Sequence, residues 1–167
     1  MKKQLYVGKG EPTEQNIGVI TNSVEINKPL GGFWTSTFID EQVGSEWVTF
    51  SKNVLTKYNG STKAFTLTPK KDARIAHVDS MDDYEELLRK YRLEMVDPRL
   101  ASISFFSNLI DYELLSKDYD GFHISQRAIS IAKYTFDYIS LGAFDCESTV
   151  WFRWCFDDVE ELDKKYY

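Results

Sequence analysis

The sequence predicts a single α+β domain in which short strands form mixed and antiparallel sheets beside several helices. A chain of 167 residues is long enough to bury one sizeable core, and we expect one domain over residues 1–167. Aromatic residues make up 15% of the chain, which favours β-structure. Strand-like segments lie early and late in the chain, whereas the clearest helical periodicity lies between them, as in α+β folds.

Apolar segments bounded by glycine or proline predict the strands. KAFTLTP alternates apolar and hydroxyl residues, as a half-buried strand does, and Pro69 ends it. Pro29 and the pair Gly31–Gly32 precede the strand FWTSTF, and an Asp-Gly turn introduces DGFHIS. The expected strands are QLYVG (4–8), a strand or turn within 17–26, FWTSTF (33–38), KAFTLTP (63–69), ARIAHV (73–78), DGFHIS (120–125) and STVWFRWCF (148–156), the last followed by an acidic tail.

The segment DSMDDYEELLRKYRLEM, residues 79–95, carries the clearest helix signals. Ser80 is a good N-cap residue, and Asp83 at the third helical position completes a capping-box-like arrangement. Acidic residues crowd the first turn and basic residues the last turn, which matches the helix dipole. The helical spacing predicts one buried stripe, formed by Tyr84, Leu87, Leu88 and Tyr91.

Three further segments have weaker helical patterns. Ser45 can cap a short helical turn that carries Trp47 and Phe50 inward, although a strand is the alternative there. The other two are a helical region from Pro98 that breaks near Asp111, and QRAISIAKYTFDYI at 126–139.

Charge and cysteine content exclude several classes of protein. The formal net charge of -6 argues against a general nucleic-acid binder, which needs a basic face. Cys146 and Cys155 form no CxxC pair and have no histidine cluster beside them, so we expect neither a metal site nor a disulfide framework. The first residues contain no long apolar run, so we expect no signal peptide or membrane anchor and a cytoplasmic location, in a bacterium or a phage-infected host.

Glu147 is the first candidate for chemistry. It lies in DCESTVWFRW, at the start of an aromatic strand, where a carboxylate beside a pocket can stabilise developing positive charge. Asp145 would face the same side if the strand extended that far, and two carboxylates on one face also suggest glycoside hydrolysis. A solvated and inert acid is the plainer alternative for either residue.

The stretch GGFWTSTF is the second candidate. Gly31 and Gly32 let a ligand approach the backbone closely, and Trp34 offers a flat face for stacking on a heteroaromatic ring. Hydroxyl groups follow that can bond ribose or phosphate, on Thr35, Ser36 and Thr37. The alternative is a tight turn followed by an edge strand. The stretch is neither a Walker loop nor a GxGxxG fingerprint.

His123 is the third candidate. It alternates with Phe122 and Ile124 on the expected strand, so its side chain faces away from them and can line a cleft. A hydrogen-bonded structural histidine is the common alternative. A serine-hydrolase triad has little support because the chain has no GxSxG elbow, and Arg153 is the one basic neighbour that could activate a cysteine.

LYVGKG, GGFWTST and DCESTVWF, in this order, resemble the three motif regions of the ADP-ribosyltransferase-like superfamily. The closer similarity is to small bacterial and phage proteins with a KPxGGLWxS stretch and a late WDCES-like stretch. The resemblance implies a split-sheet fold that takes NAD as its substrate, with Glu147 bonding the 2′-hydroxyl of the nicotinamide ribose. It also implies that the residues that bind NAD include Tyr6, Gly8, Gly32, Trp34, Thr35, Ser36 and Thr37, to which we add His123 as the candidate cleft residue.

The first motif departs from the pattern of the superfamily. Its members usually carry an Arg or His just after the LY of the first strand, whereas Val7 stands there in this chain, with Lys9 nearby.

The resemblance implies transfer of ADP-ribose from NAD to a macromolecule, with a protein preferred over a nucleic acid as the acceptor. A carboxylate beside the ribose would stabilise the oxocarbenium-like transition state of this reaction. The hypothesis requires Glu147 and the segment around Trp34 to meet at a shared cavity. One competitor is a non-enzymatic phage or bacterial inhibitor with aromatic interface anchors, and another is a carbohydrate hydrolase that uses Asp145 and Glu147.

Overall fold

Strand pairing joins both ends of the chain into one mixed sheet. The computed structural model describes residues 1–54, 62–94, 97–101 and 103–166, and Met95, Ser102 and Tyr167, which the expectations above include, lie outside these ranges. The strands are β1 (Gln4–Gly8), β2 (Gly18–Thr21), β3 (Leu30–Thr37), β4 (Lys63–Pro69), β5 (Ile75–Val78), β6 (Gly121–Ile124), β7 (Ser148–Trp151) and β8 (Phe156–Leu162).

The helices lie mainly in the middle of the chain, so the predicted α+β class is confirmed. They are α1 (Glu46–Val54), α2 (Met81–Tyr91), α3 (Pro98–Ala101), α4 (Ser104–Ser107), α5 (Tyr112–Asp118) and α6 (Gln126–Ala132), with 3₁₀ helices at Glu14–Asn16 and Phe136–Ala143. Among the helices that the structure describes, none combines the length and the hydropathy that crossing a membrane requires.

The sheet has the strand order β5-β6-β7-β3-β1-β4-β8, and β2 pairs with β3 off this path. β5 and β6 run parallel, whereas the other described pairs are antiparallel. The long strand β3 therefore joins two halves of the sheet. Its residues Phe33–Thr35 pair with β7, and its last residues pair with β1.

β1 and β3 separate soon after they meet. Gln4 pairs with Thr37 and Leu5 with Ser36, whereas β1 pairs with β4 along its whole length. Because β3 follows β7 beyond this point and β1 follows β4, the two strands diverge. We call the resulting gap, bounded by Tyr6 and Val7 of β1 and by the middle of β3, the wedge.

The helix α2 forms as its sequence predicts. The Ser80 hydroxyl accepts a hydrogen bond from the Asp83 N–H at 3.2 Å, and the Asp83 carboxylate accepts from the Ser80 N–H at 2.9 Å. These two bonds satisfy backbone donors that the first turn leaves open. The predicted stripe is buried in the main core, as Tyr84, Leu87, Leu88 and Tyr91.

Three other helical expectations are confirmed in part, and the break expected near Asp111 is present where α5 begins. α1 begins after Ser45 as expected, but it buries Val48 and Ser51 and leaves Trp47 and Phe50 half-buried. The region from Pro98 consists of three short helices, the last of them capped by Asp111. The helix expected over 126–139 ends at Ala132, and a 3₁₀ helix takes its place from residue 136.

The end of the chain holds a strand that the sequence analysis missed. The expected strand 148–156 is β7 followed by a turn, and the expected acidic tail is β8, which pairs antiparallel with β4. Apolar and polar residues alternate little along β8, because it is an edge strand whose acidic side chains face water. Lys3 contacts Glu160 at 2.6 Å and Lys63 contacts Glu161 at 2.9 Å, which ties this edge to its neighbours.

Two apolar clusters lie on either side of the strand β7. One includes Val150 and packs against α2, α5 and α6. The other surrounds the fully buried indole of Trp151 and includes Phe33, Phe65, Leu67 and Phe156. Successive residues of β7 thus point into different cores, as strand geometry requires.

Two consecutive glycines allow β3 to begin close to β2. Gly31 has φ +79° and Gly32 has φ +70°, a region that residues with a side chain rarely adopt. A Cβ at position 31 would lie 2.0 Å from the carbonyl oxygen of Val19, and one at position 32 would lie 2.4 Å from the Val150 side chain. The glycines are therefore needed for packing, whatever ligand approaches them.

The substitution Gly31→Ala should lower the free energy of unfolding by about 1–3 kcal/mol, because it adds backbone strain and a steric clash. Gly10→Ala is the matched control, since nothing lies within 4 Å of a Cβ at that position. Its effect should stay below about 1 kcal/mol. Chemical denaturation of both variants measures the difference, and equal stabilities would contradict this account of β3.

Candidate functional site

The carboxylate of Glu147 is bound by the end of β3. Its Oε2 accepts hydrogen bonds from Ser36 Oγ at 2.5 Å and from the Thr37 N–H at 3.0 Å. Its Oε1 accepts from Thr37 Oγ1 at 2.9 Å. The residue is 7% exposed. Position 147 and the hydroxyl segment of β3 therefore meet, although more than a hundred residues separate them in sequence.

Strand register explains why Glu147 reaches this place. β7 begins one residue later, at Ser148, and pairs antiparallel with β3 through Thr149 and Thr35. Two positions back along one strand correspond to two positions forward along the other, so Glu147 falls beside Thr37. Its N–H donates to Gln126 Oε1 at 3.1 Å, which fixes the backbone just before the strand. β7 does not extend to Asp145, so the condition for placing both acids on one strand face is not met.

His123 lies next to the Glu147 carboxylate. Its Nδ1 is 3.0 Å from Thr149 Oγ1 and 3.4 Å from Glu147 Oε1, and its side chain is 15% exposed. The ring of His77 lies 5.3 Å from the His123 ring, centroid to centroid. Burial, followed by the proximity of His77, lowers the pKa of His123 to about 4, although the negative charge of Asp79 acts in the opposite direction. His123 is therefore neutral at physiological pH.

A cavity of about 510 Å³ opens at the wedge. β1 forms one wall, and the segment that leads into β3 forms the other. The first turn of α1 and the residues before β7 complete the lining. We call it the larger cavity, and it is lined by Leu5, Tyr6, Val7, Ile26, Lys28, Pro29, Leu30, Gly31, Trp34, Thr35, Ser36, Trp47, Asp145, Cys146 and Ser148.

Trp34 is held in place within this cavity. Its indole N–H donates to the Gly31 carbonyl at 2.9 Å, and its ring lies 6.2 Å from the Phe144 ring. The ammonium of Lys28 lies 5.1 Å from the Trp34 ring centroid, a cation–π distance. The indole is thus a fixed and partly exposed aromatic surface.

Glu147 lines a second cavity, of about 390 Å³, which we call the smaller cavity. Thr37, His77, His123 and Gln126 also line it. Among the described residues, Glu147 lines the smaller cavity and not the larger one. The single shared cavity expected from the sequence is therefore a pair of neighbouring cavities.

The partition between the cavities is built from three pairs of consecutive residues. Ser36, Trp47 and Cys146 line the larger cavity, and Thr37, Glu46 and Glu147, each next in sequence to one of them, line the smaller. Ser36 Oγ joins these segments, because it bonds the Glu147 carboxylate and lies 3.4 Å from the Trp47 backbone nitrogen.

The predicted ligand-binding residues divide between these places. Tyr6, Trp34, Thr35 and Ser36 line the larger cavity, and Thr37 and His123 line the smaller one. Gly8 and Gly32 lie within the part of the chain that the structure describes, but they line neither cavity. Gly32 instead packs against Val150, and Gly8 packs under the Tyr6 ring.

The carbohydrate-hydrolase hypothesis required two carboxylates in one cleft. Asp145 lines the larger cavity and is half exposed, whereas Glu147 lines the smaller cavity. The two acids therefore do not form a facing pair.

Lys28 and Trp47, to which the sequence analysis gives no role in ligand binding, also line the larger cavity. The glycines and aromatic residues are the strong signals of the stretch KPLGGFW, and its lysine is marked only by the following proline, which restricts the backbone. Cys146 also lines this cavity. Burial raises the pKa of its thiol to about 11, so the thiol is protonated at neutral pH and is a poor nucleophile.

Buried hydrogen bonds connect the three strands that meet at the site. Thr35 Oγ1 donates to Gln4 Oε1 at 2.8 Å and accepts from the Trp151 indole N–H at 2.8 Å. Thr35, Gln4 and Trp151 are at most 5% exposed. Each polar atom in this bridge has its partner, which is the condition for burying such groups at low cost.

Comparisons with known proteins found no matching family model, no similar curated protein and no similar solved structure.

The buried neutral His123 should make the stability depend on pH. An unfolded histidine gains its proton near pH 6.5, whereas folded His123 stays neutral until about pH 4. The unfolded state therefore binds more protons in this window, and the folded state loses stability as the pH falls through it. This group should remove about 2 kcal/mol of the unfolding free energy between pH 7 and pH 5.

Denaturant unfolding of the wild type and of His123→Gln at these two pH values measures this contribution. The glutamine side chain can still bond Thr149 but does not titrate. The stability of the variant should therefore fall less steeply between pH 7 and pH 5 than that of the wild type. An equal or steeper fall in the variant would show that His123 is not held neutral.

Proposed function

We propose that this protein cleaves NAD and transfers its ADP-ribose to a macromolecule, and that its sheet is the split sheet of the ADP-ribosyltransferase-like superfamily. The observation that carries this proposal is the Glu147 carboxylate, bound by Ser36 and Thr37 next to the larger cavity. The strands with the three resembling motifs, β1, β3 and β7, are also neighbours in the sheet.

The reaction breaks the bond between the nicotinamide nitrogen and the ribose carbon. Nicotinamide leaves with the electron pair of that bond, and positive charge develops on the ribose. The acceptor then supplies the electron pair of the new bond to the same carbon and loses a proton. A fixed carboxylate near the ribose stabilises the charge of the transition state more than it stabilises the substrate. This is the role of Glu147.

The carboxylate is preorganised for this role. Hydroxyl and backbone donors from β3 hold both of its oxygens, and the Glu147 N–H is bonded as well. A group held in this way needs little reorganisation during the reaction, which is the source of its electrostatic effect. His123 lies next to the carboxylate but is neutral, so it adds no positive charge that would offset the negative charge of Glu147.

The larger cavity provides the surface for the dinucleotide. Its volume of about 510 Å³ falls within the usual range for ligand pockets. Trp34 offers an aromatic face, and the backbone edges of the wedge offer hydrogen-bonding groups next to it. The acceptor is a protein rather than a nucleic acid in this proposal, because a net charge of -6 disfavours a polyanionic partner. The proposed location is the cytoplasm.

A second candidate function is binding to another protein without catalysis. β2, the segment that follows it and the first residue of β3 expose large aliphatic side chains, with Val19 84%, Leu30 51%, Val24 48% and Ile26 39% exposed. Exposed apolar surface of this kind marks protein contacts. This exposed surface is compatible with an inhibitor that binds a host protein, and equally with an enzyme whose acceptor is a protein.

Glu147→Gln tests the catalytic proposal most directly. The amide keeps the shape of the side chain but removes its charge, so nicotinamide release from NAD should fall at least about 100-fold. Glu86→Gln, on the exposed face of α2, is the matched control and should keep the wild-type rate. Nicotinamide release is measured by chromatography, after thermal melts confirm that both variants fold. Unchanged release in Glu147→Gln would reject the role of this residue.

Ligand-induced stabilisation separates the enzyme from the non-catalytic inhibitor. NAD at about 100 times its Kd should stabilise the fold by about 2.7 kcal/mol, which corresponds to a rise in Tm of about 5–10 °C. Trp34→Ala should reduce this rise, whereas Tyr134→Ala, at an aromatic side chain 93% exposed, should retain it. No rise for the wild type, together with tight binding to a host protein, would favour the inhibitor.

A further inference from the structure

A single lysine provides the positive charge of the larger cavity. Lys28 is the one cationic side chain among the described residues that line it, and the β1 wall presents apolar Val7. NAD carries a pyrophosphate with two negative charges, which a protein with a net charge of -6 repels unless a local cation compensates. We propose that Lys28 binds the pyrophosphate of the dinucleotide, an inference that rests on the proposed function.

The ammonium of Lys28 makes only long contacts with oxygen acceptors among the described residues. Its nearest acceptors are the Ala143 carbonyl at 3.5 Å and Asp145 Oδ2 at 3.7 Å. Both distances exceed the 2.7–3.2 Å of ordinary N–H···O bonds. An ammonium has three donors and can form charge-assisted bonds to phosphate oxygens, so a phosphate would gain bonds here without breaking strong ones.

The surroundings of Lys28 keep it in the cavity. Its side chain is 26% exposed, and its ammonium lies 5.1 Å from the Trp34 ring centroid and 5.5 Å from that of Phe144. The aromatic rings attract the cation without using its hydrogen-bond donors in conventional bonds. The charge is therefore positioned next to the aromatic surface on which a ring of the dinucleotide would stack.

The backbone that carries Lys28 is anchored to the core. Asn27, next to it, is 1% exposed; its Nδ2 donates to Ser140 Oγ at 3.0 Å, and its Oδ1 accepts from the Ile110 N–H at 3.1 Å. Pro29 follows and restricts the backbone of Lys28 to extended conformations. A cation on a fixed base loses less entropy when it binds a ligand than one on a free loop.

Asp145 opposes the proposed contact, because its carboxylate competes with phosphate for the same ammonium. Removing this competition should have the opposite effect on ligand binding to removing the charge of Lys28. Asp145→Asn removes a negative charge from the larger cavity and frees Lys28, so it should strengthen the binding of an anionic ligand.

Isothermal titration calorimetry with ADP-ribose tests the assignment, because ADP-ribose keeps the pyrophosphate and lacks nicotinamide. Lys28→Met preserves the apolar stem over Trp34 and should weaken binding about 10- to 100-fold. Lys28→Arg should retain most of the affinity, and Asp145→Asn should increase it. Lys52→Met is the matched control, since Lys52 also lies over an aromatic ring, that of Tyr166, but does not line the larger cavity; its affinity should equal that of the wild type.

The outcomes distinguish this inference from the function on which it rests. Loss of affinity in Lys28→Met but not in Lys52→Met, with thermal melts that show both variants folded, supports the contact. Equal affinities of the wild type and Lys28→Met would overturn the role of Lys28 and leave NAD binding intact. Failure of the wild type to bind either ADP-ribose or NAD would overturn the proposed function and this inference together.

Discussion

The site depends on a buried polar bridge in the middle of the sheet. Thr35 on β3 bonds Gln4 on β1 and the indole of Trp151 on β7, so one hydroxyl fixes the spacing of three strands. Just beyond it, β1 and β3 lose their pairing, and the wedge begins. A buried hydrogen-bond network of this kind is costly if any partner is missing, which makes the arrangement specific. The bridge therefore holds the strands together at the point where the sheet separates to form a cavity.

The divergence of β1 and β3 opens the larger cavity, whereas the smaller cavity lies at the end of β3. One strand continues along β4 and the other along β7, so the sheet opens on the side of Trp34, while the end of β3 stays joined to Glu147. Ser36 lines the larger cavity and Thr37 lines the smaller one, and both of their hydroxyls bond the Glu147 carboxylate. The Ser36 and Thr37 side chains thus stand between the aromatic surface of Trp34 and the Glu147 carboxylate.

Local signals in the sequence predict the elements whose residue patterns are strong. The Ser80 capping box and the apolar stripe locate α2, and the alternation of KAFTLTP locates β4 at the bounds expected. β8 could not be found in this way, because its acidic residues are typical of a tail and its strand conformation comes from pairing with β4. The meeting of Glu147 with the hydroxyl segment was predicted from a resemblance. The partition was not, because it depends on β7 beginning at Ser148, and strand ends are set by tertiary pairing rather than by residue pattern.

The proposed chemistry places a requirement on Ser36. A carboxylate has about four lone-pair sites, and the donors on Glu147 include Ser36 Oγ, Thr37 Oγ1 and the Thr37 N–H, with His123 Nδ1 at 3.4 Å. A ribose hydroxyl that reaches the carboxylate from the larger cavity must therefore replace one of them. Ser36 is the donor that lines this cavity, and its hydroxyl has another acceptor, the Glu147 carbonyl at 3.2 Å. If its hydrogen turns to that carbonyl, one lone-pair site of Oε2 becomes free, while the Thr37 N–H still bonds the same oxygen and no buried donor is left unpaired. Ser36 would then give up its hydrogen bond to the carboxylate, and a ribose hydroxyl of the substrate would form one in its place, at little energetic cost.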